Sequence, residues 1–401
     1  MKISIAQLNY HIGNFAKNKE LICNAIGRAR KEGSDLIVFS ELSVPGYPPL
    51  DLLDHIDFIT RCNDTVGEIA KECIGIAAIV GSPMLNKNSE GKKLYNSALL
   101  LSEGKIIFVA NKALLPTYDI FDEYRYFEPE KTFSILNFKG KRIALTICED
   151  LWDEQSFDND FEKSRLYSVS PMDELAKQNP DLIINISASP FSYTRIETKQ
   201  NIFLNKAKKH KIPVISVNQT GANTELIFDG ASMVINSRGE IVDQLPFFEE
   251  CVKSYSLDDI LSAKPVPFKT ENNLAALIHK ALVSGISDYF NKMNFKDAVV
   301  GLSGGIDSAV CLCLASEALG NEHVKAILMP SRYSSEHSVK DAVSLADNLK
   351  VAYEIINIEK PFRAFEDLLA PVFTDRVSDV TEENIQARTR AVLLKIGRAH
   401  V

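Results

Sequence analysis

What this sequence lacks narrows the field first. Its seven cysteines (23, 62, 73, 148, 251, 311 and 313) are odd in number and include no CxxC pair. Neither a disulfide framework nor a zinc ribbon is indicated, and a reducing compartment is expected. No apolar run is long enough to span a bilayer: the longest uncharged stretch, residues 73–86, is interrupted by Gly and Pro. The N-terminal MKISIAQLNYHIGNF is too polar for a signal peptide. The expectation is a cytoplasmic protein with no membrane attachment. A basic excess is missing as well, with 45 Lys plus Arg against 53 Asp plus Glu and a net charge of −8. That balance argues against a protein that lives on nucleic acid. Neither an internal repeat nor a low-complexity tract is visible.

What is present is a chain of 401 residues, 45% hydrophobic and 24% charged, with room for two or three ordinary domains. β-type runs such as ISIAQL, DLIVFSE, RIALTIC, DLIINIS and PVISVNQ alternate with apolar residues at helical spacing. Gly turns in SEGK, FKGK and SRGE join paired runs, which predicts hairpins and a mixed sheet. This first α/β domain is expected over residues 1–248 and a linker over 249–270, where periodicity fades into KPVPF. A second α/β domain is expected over 271–394.

Three strand ends of the first domain carry chemistry. Glu41 follows the run LIVFSE, Lys112 follows IIFVANK, and Cys148 ends RIALTIC and is succeeded by two carboxylates. A lone cysteine there would ordinarily be core filler. Side chains at the carboxyl ends of strands converge in α/β sheets, however, and a carboxylate, an ammonium and a thiol suit acyl transfer. Glu41 would take the thiol proton, while Lys112 would stabilise the thiolate and then the oxyanion. None of the seven histidines is tied to this strand.

The strings FSELSVPGYPP, NKALLPTYDIFDEYRYF and TICEDLW, in this order, resemble the nitrilase or carbon-nitrogen hydrolase superfamily over about residues 1–250. The resemblance implies an αββα sandwich with Glu41 as base, Lys112 as oxyanion partner and Cys148 as nucleophile. Within it, LPTYDIFDEYRYF, CEDLW and SASPFSYTR look like the glutaminase domains of glutamine-dependent NAD synthetases. That implies L-glutamine contacts at Tyr47, Tyr118, Phe121, Glu149, Trp152, Ser189 and Arg195. An acid for the ammonium and a base for the carboxylate are what a zwitterion requires.

In the second domain the strand AVVGL runs into Ser303, Gly304, Gly305, Ile306, Asp307 and Ser308, and a helix ends near Gly320. Glycines and free helix-start amides favour phosphate. No lysine follows, so this is not the loop ending in Lys-Ser/Thr. An acid among phosphate-binding amides calls for a bridging Mg²⁺, which assigns the metal to Asp307. The string resembles the SGGxDS loop of ATP pyrophosphatases, implying a Rossmann-like fold and ATP contacts from Gly301 and Leu302 through Ser308. AILMPSRYSS resembles the adenosine-holding segment and adds Met329 and Arg332. TEENIQARTRAVLL resembles the helix that bridges ATP and dinucleotide in NAD synthetases, implying Asn384 on deamido-NAD and Arg388 near phosphates. Cys311 and Cys313 face different sides of a helix and read as packing residues.

The resemblance stops at that helix, and KIGRAHV (residues 395–401) is read as an artefactual tail on an incomplete synthetase domain. The implied activity is ATP-dependent amidation of deamido-NAD with ammonia from glutamine, by a chain that forms homo-oligomers when full length. An amidase serving another adenylation, an RNA-modifying ATP pyrophosphatase and a glutamine sensor with a dead triad are the alternatives. NIQAR, the acidic balance and the complete Glu-Lys-Cys set weigh against them in turn.

Overall fold

The structure, a computed structural model, describes residues 1–154, 166–267, 274–372 and 380–396. The chain divides into two compact units, Met1–Ala281 and Leu282–Val401.

Two six-stranded sheets build the first unit. One runs, edge to edge, Cys251–Ser256, Lys2–Gln7, Leu36–Val38, Ala77–Leu85, Leu94–Ser102 and Lys105–Asn111. The other runs Ile241–Gln244, Met233–Ile235, Val214–Asn218, Leu182–Ser187, Lys141–Ile147 and Leu136–Phe138. Alternation along the strands sorts their side chains into three layers. Ile3, Ile5, Leu36 and Val38 of the first sheet meet Ile143, Leu145, Ile147 and Leu182 of the second in one buried cluster. The intervening Ile37 packs against Ile22 and Ile59 of helices Phe15–Lys31 and Ile56–Glu72. On the far side, Ala144 and Ile183 pack with Met172 and Phe203 of helices Pro171–Ala176 and Ile196–His210. Because both faces of the inner strands are covered, those strands read as continuous apolar runs. The result is an αββα sandwich, and the mixed hairpins expected at Ser102–Lys105 and Phe138–Lys141 are present.

One expectation needs correction. Residues 249–270, read as a linker, include the strand Cys251–Ser256, which pairs antiparallel with Lys2–Gln7. The helix Leu257–Ser262 follows and buries Leu257 and Ile260. The strand was illegible because it is an edge strand, half exposed on both faces, so CVKSYS carries no clean alternation. Residues 268–270 lie outside the described residues, as do 397–401 of the expected tail; Lys395 and Ile396 end the helix Val380–Ile396.

In the second unit three parallel strands, Ala298–Gly301, Val324–Leu328 and Ala352–Ile355, lie in sequence order. Helices Ile306–Leu319 and Glu336–Leu349 connect them, and Leu312, Ala326, Leu328 and Ala346 form its core. No helix among the described residues is long and apolar enough to cross a membrane.

Candidate active site

The sandwich brings the ends of four strands together, two from each sheet. Glu41 follows Leu36–Val38, Lys112 follows Lys105–Asn111, Cys148 follows Lys141–Ile147, and Ala188 and Ser189 follow Leu182–Ser187. The Glu41 turn lies so close to the neighbouring strand that a Cβ on Gly81 would stand 2.2 Å from the Leu42 nitrogen. Only glycine admits that approach.

Lys112 is fully buried, and its Nζ donates to Glu41 Oε1 at 2.7 Å and to both Glu123 oxygens at 2.9 and 2.8 Å. Burial alone would favour a neutral amine, but the Glu123 and Glu41 carboxylates outweigh it and keep Lys112 an ammonium. Glu41 Oε1 also accepts from Asn96 Nδ2 at 2.8 Å, and its Oε2 accepts from the Ala188 amide at 3.0 Å. Cys148 sits at φ +41°, at the start of a single 3₁₀ turn, and lines an adjoining cavity. Burial and then the charge of Glu41 push its thiol well above the ordinary value, with Lys112 pulling the other way. At rest Cys148 is therefore a thiol, and it would need a base beside it to react.

Glu123 was not singled out from the sequence. Tyr47 OH donates to its Oε1 at 2.9 Å, and with Lys112 it makes this acid part of the centre. Its only sequence signal is membership of DIFDEY, where three acids compete. Burial raises its carboxyl from 4.5 to about 7, against the pull of Lys112. The folded protein thus holds this proton where the unfolded chain has lost it. Its contribution to stability is full below about pH 4.5 and declines as pH rises towards 7. Glu123→Gln should flatten that decline. In urea melts its stability relative to the parent should rise across that window, and a constant offset would contradict the assignment.

The cavity has a volume of about 370 Å³ and is lined by Tyr118, Phe121, Cys148, Glu149, Trp152, Ser189 and Arg195, among others. Of the expected glutamine contacts only Tyr47 is absent from this wall. Glu149 Oε1 accepts from Tyr118 OH at 2.8 Å and from Tyr167 OH at 2.9 Å, and among the described residues no hydrogen bond is made to its Oε2. Tyr167 was missed, since a tyrosine in a loop carries no periodic signal. Ser189 is held by Asn218, which accepts from its amide at 2.9 Å and donates to its carbonyl at 3.1 Å. Asn218 in turn donates to Asp229, the partner of Lys199.

The second unit holds a cavity of about 220 Å³ lined by Gly301, Leu302, Ser303 and Met329, with Arg390 and Leu394 from the helix Val380–Ile396. Arg390 was not anticipated; its Nε donates to the Met329 carbonyl at 3.2 Å. Gly304, Gly305, Ile306, Asp307 and Ser308 form the adjoining loop and helix start and do not line this space. Gly304 has φ +85°, and a Cβ there would lie 2.1 Å from the Ser338 carbonyl oxygen. Ser308 Oγ braces the turn through Ser303, at 3.0 Å from its Oγ. The exposed Asp307 carboxylate in the first turn of the helix Ile306–Leu319 fits an ion such as Mg²⁺, which takes one or two carboxylates and completes its shell with phosphate oxygens and water. Arg332 is engaged elsewhere, with Glu359 at 2.7 Å and Glu366 at 2.9 Å. Asn384 and Arg388 line a separate apolar groove with Phe365 and Val392.

Comparison with known proteins gives the family of the chain. Residues 2–263 match the carbon-nitrogen hydrolase family and residues 278–398 the NAD synthase family. The chain is 40% identical over 403 aligned positions to the glutamine-dependent NAD(+) synthetase of Synechocystis, covering 98% of this chain and 71% of that one. With the synthetase of Thermotoga maritima it shares 32% identity, covering 97% and 71%. The solved structure of a glutamine-dependent NAD+ synthetase from Acinetobacter baumannii, in complex with ADP, superposes with a TM-score of 0.88 at 34% identity, covering 98% of this chain and 72% of that one. An amidase of the nitrilase superfamily from Nesterenkonia shares the fold of the first unit, with a TM-score of 0.53 at 21% identity, over 63% of this chain and 89% of its own.

Proposed function

This chain belongs to the glutamine-dependent NAD(+) synthetases, and from that membership we propose how its residues divide the work. The observation that carries the reading is the buried contact of Lys112 with Glu41 beside Cys148. L-Glutamine enters the cavity with its ammonium on Glu149 and its carboxylate towards Arg195 and Ser189. Glu41 takes the proton from Cys148, whose sulfur attacks the side-chain amide carbon. Lys112 stabilises the oxyanion, and Glu41 returns the proton to the departing nitrogen, leaving a thioester and ammonia. A water deprotonated by Glu41 then frees glutamate. Glu123 and Tyr47 keep Lys112 aimed at the reacting carbon.

ATP occupies the second unit's cavity, with the amides at the start of the helix Ile306–Leu319 towards its phosphates. ATP activates the carboxylate of deamido-NAD as an adenylate with loss of pyrophosphate, and ammonia displaces AMP to give NAD. Mg²⁺ held by Asp307 would neutralise phosphate charge there. Arg390 faces the nucleotide from the helix, and Asn384 and Arg388 face the dinucleotide. A cytoplasmic homo-oligomer, with a glutaminase domain and a synthetase domain, completes this reading.

Gly304→Ala tests the division. A methyl at φ +85° that also meets the Ser338 carbonyl must displace the loop. ATP binding measured by calorimetry should weaken at least about tenfold, since a loop shift of this kind costs more than about 1.4 kcal/mol. Glutamine hydrolysis assayed with no nucleotide present should be untouched. Unchanged ATP affinity would remove the loop from the nucleotide site.

A further inference from the structure

The two adjacent acids after the nucleophile point in different directions. Glu149 faces the cavity, whereas Asp150 is 3% exposed, does not line it, and turns into the protein. There its carboxylate accepts, among the described residues, three main-chain N–H groups and no side-chain donor: Ala113 at 2.9 Å and Leu114 at 3.0 Å on Oδ1, and Ile147 at 3.0 Å on Oδ2. Ala113 and Leu114 directly follow Lys112, and Ile147 directly precedes Cys148. One carboxylate therefore bridges the chain beside the ammonium and the chain beside the thiol, which belong to different sheets.

We propose that Asp150 is the positioning residue that sets the distance between Cys148 and Lys112. The inference rests on the reading of those two residues as nucleophile and oxyanion partner. Cys148 stands at φ +41°, a region that an L-residue adopts only when its surroundings impose it. The surroundings here are the Ile147 N–H held by Asp150 and the Cys148 carbonyl, which accepts from Asn185 Nδ2 at 3.4 Å. On the lysine side the Lys112 amide donates to the Asn96 carbonyl at 2.8 Å, so the residue is fixed by the sheet before it and by Asp150 after it. Attack needs the sulfur and the ammonium on the same carbonyl group, and an error of about 1 Å in such a geometry costs about 100-fold in rate.

Asp150→Asn is the discriminating change because it keeps volume and removes one acceptor. Whichever way the amide turns, its NH₂ faces a main-chain N–H, and either the thiol side or the lysine side is released. The expected result is a fall of about 100-fold in kcat for glutamine hydrolysis, with KM within about threefold. Labelling of Cys148 by a diazoketone analogue of glutamine separates positioning from mere folding. The labelling rate constant should fall in step with kcat while the labelled fraction stays stoichiometric. Parental kcat, or a reduced labelled fraction reacting at the parental rate, overturns the inference. If Asp150→Asn yields no folded protein, Asp150→Glu carries the test. It keeps charge and acceptors but spreads the two chains by a methylene, and must also lose kcat at constant KM. A Cys148→Ala control that still releases ammonia would instead overturn the underlying site reading.

Discussion

Replacing Cys148 by alanine is expected to reduce glutamine hydrolysis by at least about 10⁴-fold, because residues that act as a nucleophilic unit fail together when one is lost. The fold should tolerate the change. Cys148 is buried and small, and alanine removes one sulfur without orphaning a polar group, since the carbonyl bond to Asn185 is made by the main chain. Ammonia release from L-glutamine by both proteins is the measurement, with thermal melting as the control. Hydrolysis that persists in a folded variant would mean that the thiol is not the nucleophile. A parallel loss of activity and of the folded state would leave the thiol without a demonstrated role.

The second large effect is on stability. Lys112→Met should lower the unfolding free energy by about 3–5 kcal/mol, the usual consequence of leaving buried charge without its partner. Lys112 is the shared donor to Glu41 and Glu123, whose side chains are 1% and 7% exposed. Without the ammonium, two carboxylates face each other in a site sealed from water, and one of them must take up a proton. The thermal transition of the first unit should fall by roughly 10 °C. The double variant Lys112→Met with Glu123→Gln should recover part of that loss, since one of the opposed charges is gone, while activity stays absent because nothing stabilises the oxyanion. A single variant that melts with the parent would show that the three charges are not coupled. Recovery of activity in the double variant would remove Lys112 from the chemistry.

Much of this site was legible before any coordinates. Glu41, Lys112 and Cys148 each follow an apolar run, and strand ends of one sandwich converge. Glu123 and Asp150 were not. Asp119, Asp122 and Glu123 stand within five residues, and nothing local tells which acid turns inward. Arg388 and Arg390 illustrate the same limit on a helix. Two residues apart amounts to about 200° of rotation, so Arg390 lines the cavity beside Gly301 and Met329 while Arg388 lines a different groove. The signal that could have distinguished them is the phase of the buried residues Gln386 and Thr389, which only packing reveals.

Alone, the sequence determined the alternation of strands and helices with a mixed sheet, the order of the chemical groups and their residue types. Alternation of period two and helical spacing are local properties, and the need to bury apolar faces turns them into layers. Tertiary structure decided which acids meet the ammonium, which tyrosines hold Glu149 and which main-chain amides Asp150 binds. Those partners are separated along the chain by 71 residues for Lys112 and Glu41, and by 147 for Ala188 and Glu41. A hydrogen bond depends on tenths of an ångström and on the direction of a side chain. Both are set where four strands from two sheets end together, and no local pattern in the sequence carries that information.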